Sequence, residues 1–190
     1  MLLSADTRNP NTEGECVLTD IYLIRHAAPD RSQRIDYHTP PGPDLTAQGR
    51  EEARQAAAFL AERGLEQLYV SPFARTHQTA DVLVATLQIP VTFTSLVAEH
   101  AVRESVEQVQ ARVGELLHSL DQGEQRVIGI VSHGSPIKEM LLLLTEGRVQ
   151  LTQVFPQGNP APTAGIWHVQ RNAEDGQWHA TLIFQPLELL

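Results

Sequence analysis

Val127-Ile128-Gly129-Ile130-Val131 leads directly into Ser132-His133-Gly134, then Ser135-Pro136, then Ile137, Met140, Leu141 and Leu144. The first five residues are apolar without alternation, which is the pattern of a strand covered on both faces and therefore central in a parallel sheet. The later apolar positions keep helical spacing, and Ser135-Pro136 reads as the opening of that helix. Strand, short turn and helix in this order define one half of a βαβ unit.

The same unit recurs upstream. Ile21-Tyr22-Leu23-Ile24 is followed by Arg25-His26, a proline-rich loop through Pro43 and a helix opening near Thr46, with Ala53, Ala56, Ala57 and Leu60 as its buried stripe. Gly64 stops that helix, and Leu68-Tyr69-Val70 forms a second strand. Ser71-Pro72 reads as N-cap and first-turn proline of a helix carrying Ala80, Leu83, Val84 and Leu87. Val91 to Leu96 reads as a third strand, and Ser105 with Gln108 as the capping box of a helix ending near Gly123. Ile166 to Gln170 and His179 to Phe184 suggest a closing hairpin turned at Asp175-Gly176. The expected fold is α/β, a three-layer α/β/α sandwich with a mostly parallel central sheet. Residues 1–18 are polar and aperiodic and read as a flexible tail, with order beginning near Leu18; residues 19–190 read as one domain.

The formal charge of −9 and a single lysine, Lys138, among 14 basic residues leave no basic stripe for a nucleic acid backbone. One cysteine, Cys16, cannot close an internal disulfide, and no apolar run suits a signal peptide or a membrane span. These features point to a cytoplasmic chain with neither nucleic acid nor membrane as partner. They assign no oligomeric state.

Arg25, His26, Arg75, Glu99 and His133 all fall just beyond the C-terminal ends of predicted strands, which share one edge in a parallel sheet. Two guanidinium groups suit phosphate oxygens, and two imidazoles supply a nucleophile or a further donor. A carboxyl group supplies a proton for a departing oxygen. The set needs no metal and no organic cofactor. A His26, His133 and His100 metal cluster lacks compact ligand spacing and competes with the arginines. His38, His77 and His100 lie near these positions and are pocket-lining candidates whose default is exposure.

Four ordered strings carry a more specific signal: LIRHAAPD (23–30), DLTAQGREEA (44–53), SPFARTHQTA (71–80) and VSHGSPIK (131–138). Together they resemble the histidine phosphatase superfamily, the phosphoglycerate mutase-like clan. The resemblance implies a nucleophilic His26 that forms a phosphohistidine, with Arg25, Arg75 and His133 binding the phosphoryl group. It also implies an acidic residue that protonates the leaving group, for which Glu99 is the choice and Glu104 the reserve. The expected activity is metal-independent hydrolysis of phosphate monoesters, on a small molecule or a phosphoprotein. Ala27 stands where the family usually has glycine, with a methyl expected to narrow the pocket slightly. Ala28-Pro29-Asp30 replaces the polar residues of mutases, and the segment from Glu99 to Ser105 is too short for a large lid, which disfavours phosphoryl transfer between positions of a sugar or glycerate phosphate. A catalytically silent phosphate-binding or regulatory module is the reading from another class, motivated by Ala27.

Overall fold

β1 (Asp20–Arg25) and β4 (Val127–Ser132) pair in parallel, Ile21 opposite Ile128 and Arg25 opposite Ser132, so both chains leave the sheet at one edge. The structure is a computed structural model and describes residues 17–187. β2 (Gln67–Val70) pairs in parallel with β4 and with β3 (Val91–Phe93). β5 (Ile166–Arg171) runs antiparallel to β1, and β6 (Trp178–Phe184) antiparallel to β5, giving the order β3-β2-β4-β1-β5-β6.

Alternation in the central strands builds the three layers. Ile21, Leu23, Ile128 and Ile130 face one cluster with Val109, Val113, Leu116 and Leu120 of α3 (Val106–Asp121) and Ile137, Met140 and Leu141 of α4 (Gly134–Leu144). Tyr22, Ile24, Leu68, Val70 and Val131 face the other, with Ala53, Ala56, Ala57 and Leu60 of α1 (Ala47–Leu60) and Ala80 and Leu83 of α2 (Ala74–Leu87). Leu18 is buried in the first cluster, so packed structure already includes this last residue of the expected tail. Residues 1–16, Cys16 among them, lie outside the described residues.

Three local expectations are corrected. Ser71 does not cap α2: that helix starts at Ala74, whose N–H donates to Pro41 O at 2.7 Å, and the Ser71 hydroxyl turns to His133. Ser135 does not open α4, because the helix starts one residue earlier and the Ser135 hydroxyl meets His100 Nδ1 at 3.0 Å. The third strand stops at Phe93, where the Thr94 side chain accepts from Leu96 N and turns the chain into a short 3-10 helix, Ser95–Val97. That turn buries Val97 in the core and delivers Glu99 to the sheet edge. The capping box at Ser105 and Gln108 and the terminal hairpin form as the sequence indicates.

The DLTAQGREEA string works as scaffolding. Thr46 caps α1 through Gly49 N and donates its own backbone N–H to Ala28 O, while Glu52 Oε2 accepts from Ala28 N at 2.9 Å. Gly49 lets the first turn approach this segment: a Cβ there would collide with Ala28 O and lie 2.9 Å from Ala28 N. Helix propensity alone favours alanine at an interior position by up to about 1 kcal/mol. Overpacking against backbone opposes it, and Gly49→Ala is expected to lower unfolding free energy by about 1–3 kcal/mol in urea. A gain in stability would show that the two segments separate freely.

Candidate active site

Arg25 ends β1 and His26 follows it, held by His26 N donating to Ser132 O at 2.9 Å and His26 O accepting from Ala164 N at 3.2 Å. The next two residues are also fixed. Ala27 N donates to Thr79 Oγ1 at 3.0 Å, and Ala28 is clamped by α1. The Ala27 methyl lies in the core beside α1 and α2, not in the pocket, so it does not narrow the site as the sequence suggested.

Within this frame the His26 ring is buried and has one defined orientation. Its Nδ1 lies 2.8 Å from Ala27 O, which makes Nδ1 the protonated nitrogen and leaves the lone pair on Nε2. The Tyr37 hydroxyl donates to that Nε2 at 3.2 Å. Burial, with Arg25 and Arg75 adding repulsion, holds the His26 pKa well below its ordinary 6.5, so the imidazole stays neutral and nucleophilic. His133, at the N-cap of α4 and 5.2 Å from His26 between ring centroids, is pushed in the same direction by burial and then by His26 and the arginines.

Arg75 comes from the first turn of α2 and is fully buried, its guanidinium stacked 4.1 Å from the Tyr37 ring centre and 4.5 Å from that of Phe73. Gly42, with φ +65°, leaves room for it, since a Cβ there would stand 2.7 Å from Arg75 Nη1. Arg75 Nη2 donates to Glu99 Oε2 at 3.1 Å, and the same oxygen is 3.4 Å from His133 Nδ1. Arg25 Nη1 donates to Ala161 O at 2.8 Å. Desolvation lowers both arginine pKa values. Among the described residues, Arg25 Nε, Arg75 Nε and His133 Nδ1 are buried without a hydrogen-bond partner. Two guanidinium nitrogens and an imidazole nitrogen left buried without partners suit an anion rich in acceptors, since buried donors cost free energy until an acceptor meets them.

The fold therefore brings all five predicted side chains together. Glu104 does not join them: it accepts from Arg112 Nε at 2.6 Å and Nη2 at 3.1 Å, and this pairing lowers its pKa. His100 and His38 line the adjoining cavity of 680 Å³, whereas His77 stacks on Phe93 at 3.9 Å. The space beside Gly134 is occupied by the Asn159 side chain. His26, Glu99 and His133 present atoms within 4.8 Å of one another, which suits metal ligation by distance, but the two neighbouring guanidinium groups oppose a cation there.

Sequence reasoning missed Tyr37 and the segment around Ala161. Tyr37 sits in a proline-rich loop with no periodicity, and its place is set by stacking on Arg75. The carbonyl of Ala161 carries no side-chain signal at all.

Residues 21–103 match the profile of the histidine phosphatase superfamily, branch 1. No curated protein sequence matches the chain. Among solved structures, YhfR of Bacillus stearothermophilus superposes with a TM-score of 0.69 at 19% identity, covering 86% of this chain and 96% of its own. Mycobacterial glucosyl-3-phosphoglycerate phosphatase gives 0.67 at 18% identity, covering 86% and 97%. A phosphoserine phosphatase mutant from Entamoeba histolytica, in complex with phosphoserine, gives 0.65 at 19%, covering 86% and 95%.

Two buried imidazoles that resist protonation have a consequence for stability. The unfolded chain takes up protons as pH falls through 6.5 while the folded rings do not, so stability decreases below about pH 6.5, by up to about 1.4 kcal/mol per pH unit for each ring. Urea midpoints measured from pH 7.5 to 5 are expected to fall, and less steeply in His26→Asn. Equal slopes in the two proteins would refute the assignment of that proton uptake to His26.

Proposed function

We propose that this chain, a member of the histidine phosphatase superfamily, hydrolyses phosphate monoesters through a phosphohistidine on His26. The observation that carries this reading is the His26 ring itself: neutral, with Nδ1–H tied to Ala27 O and Nε2 left as the acceptor nitrogen beside the Tyr37 hydroxyl, in a site where Arg25 Nε, Arg75 Nε and His133 Nδ1 are buried without partners.

In the first step His26 Nε2 bonds to phosphorus as the ester P–O bond breaks, and the Glu99 carboxyl gives its proton to the departing alcohol. Arg25, Arg75 and His133 bind the nonbridging oxygens, with the guanidinium forks matching their geometry. In the second step the Glu99 carboxylate takes a proton from water, whose oxygen bonds to phosphorus as the P–Nε2 bond breaks. Inorganic phosphate leaves and neutral His26 is restored. Every proton and bond is accounted for by side chains of this chain and water, so the scheme requires no metal.

The substrate class is a phosphate ester on a small molecule, with a phosphoprotein side chain as the larger form that an open cavity admits. The residues from Glu99 to Ser105 form one short connection, which supports hydrolysis over the water-excluding transfer of a mutase. No helix among the described residues is long and apolar enough to cross a membrane. Single-cysteine usage supports a reducing, cytoplasmic setting.

With p-nitrophenyl phosphate and a chelator present, wild-type protein is expected to turn over and to yield a base-stable, acid-labile phosphoryl adduct after quenching. His26→Ala is expected to lose both, with kcat/KM down roughly 1,000-fold or more. Undiminished hydrolysis by pure His26→Ala protein would refute the mechanism. Glu99→Gln is expected to lower kcat roughly 100-fold or more on an alkyl phosphate. The loss should be much smaller on p-nitrophenyl phosphate, whose leaving group departs without a proton. Equal losses on both substrates would remove Glu99 from the acid role.

A further inference from the structure

Ser71 lies at the end of β2, fully buried, with its hydroxyl 2.7 Å from His133 Nε2. Its backbone groups are already spoken for: Ser71 N donates to Val131 O, and Ser71 O accepts from Thr76 Oγ1. Among the described residues His133 is the hydroxyl's one hydrogen-bond partner.

A neutral imidazole carries a single N–H, and the nitrogen that bears it decides what the other edge of the ring offers. Two arrangements are possible at His133. If Nε2 were protonated, it would donate to Ser71 Oγ, leaving the buried hydroxyl proton without an acceptor and turning the Nδ1 lone pair toward Glu99 Oε2 at 3.4 Å. If Nδ1 is protonated, the hydroxyl donates to Nε2, every group around Ser71 is matched, and Nδ1–H points at the carboxylate. The second arrangement avoids an unmatched buried donor and a repulsion between a lone pair and an anion.

We infer that Ser71 is a positioning residue that fixes His133 as the tautomer protonated on Nδ1, so that the ring offers a phosphoryl oxygen an N–H donor instead of a lone pair. This rests on the phosphatase reading for its catalytic meaning, although the tautomer itself does not. The two histidines then carry the same tautomer and do opposite work. Each is protonated on Nδ1, but His26 presents Nε2 to the phosphorus while His133 presents Nδ1–H to the oxygens. Ser71 on one ring and Ala27 O on the other set these two presentations.

Nitrogen-15 NMR of imidazole-labelled full-length protein at pH 7.5, with the His133 signals identified by their loss in His133→Gln, tests the tautomer directly. Wild type is expected to show Nδ1 protonated and Nε2 unprotonated, and Ser71→Ala to lose that preference. Titration with inorganic phosphate is expected to give a Kd raised roughly tenfold in Ser71→Ala, the effect of one hydrogen bond to a charged group. Wild-type His133 protonated on Nε2 would overturn the inference, as would a Ser71→Ala protein that keeps both tautomer and phosphate affinity. If Ser71→Ala does not fold, the wild-type spectrum still decides. Neither readout needs turnover, so absence of a phosphohistidine would count against the phosphatase reading alone.

Discussion

Arg75 is a permanent cation with no access to water, and among the described residues its charge is answered by a single close carboxylate oxygen, Glu99 Oε2. Burying a guanidinium is costly unless the environment supplies partners. Here the partners are assembled from distant segments: Tyr37 O and the Tyr37 ring from the loop after β1, Phe73 from the turn before α2, Glu99 from beyond the 3-10 helix. The compensation is incomplete, because Arg75 Nε and Arg25 Nε remain unmatched. An anion carrying several acceptors completes it. The unmatched donors that suit the site to an anion are the ones that leave the fold under strain.

That strain is contained by hydrogen bonds that never touch the reacting atoms. Thr79 joins Ala27 N to Arg75 O, tying the residue after His26 to the helix that carries the second arginine. Gln78 binds Leu45 N and Asp44, and Glu52 and Thr46 hold Ala28 from the opposite side. Two of the four strings that resemble the superfamily are mainly of this kind. They hold the chain around His26 in place, and under the proposed mechanism that matters because misplacing a nucleophile by about 1 Å costs orders of magnitude in rate.

The layered fold and most of the five-residue constellation were legible because they rest on periodicity and on strand ends, both of which leave marks in sequence; Glu99 instead reaches the site through the 3-10 turn after the shortened β3. Gly129 shows the limit of such marks: it reads as one more position in an apolar run, yet its missing side chain makes room for Leu65 and Leu68 from the adjacent β2 side of the sheet. The Ser-Pro pairs misled for a physical reason. Serine before proline is a good helix start in isolation, but at both sites a neighbouring imidazole competes for the hydroxyl: His133, fully buried, takes that of Ser71, and the half-buried His100 takes that of Ser135. Tyr37 was invisible since stacking on a guanidinium has no sequence period.

The departures from the superfamily pattern act differently once their side chains are placed. Ala27 looked like a threat to the pocket, but the peptide after His26 is oriented by Thr79 so that its methyl points into the apolar layer between α1 and α2. It adds packing where glycine would leave a gap. The short connection after Glu99 has the opposite character, because it changes what surrounds the reacting group. With few residues to fold over the cavity, water would have access to the proposed phosphohistidine, which favours hydrolysis over a transfer that needs a closed site. The acidic surface does not contradict an anionic substrate. Charges more than about 8 Å apart in solution are largely screened at physiological salt, whereas the guanidinium groups inside the cleft act at contact distance in a low dielectric. Net charge governs the approach of the substrate, and the buried arginines govern what it finds on arrival.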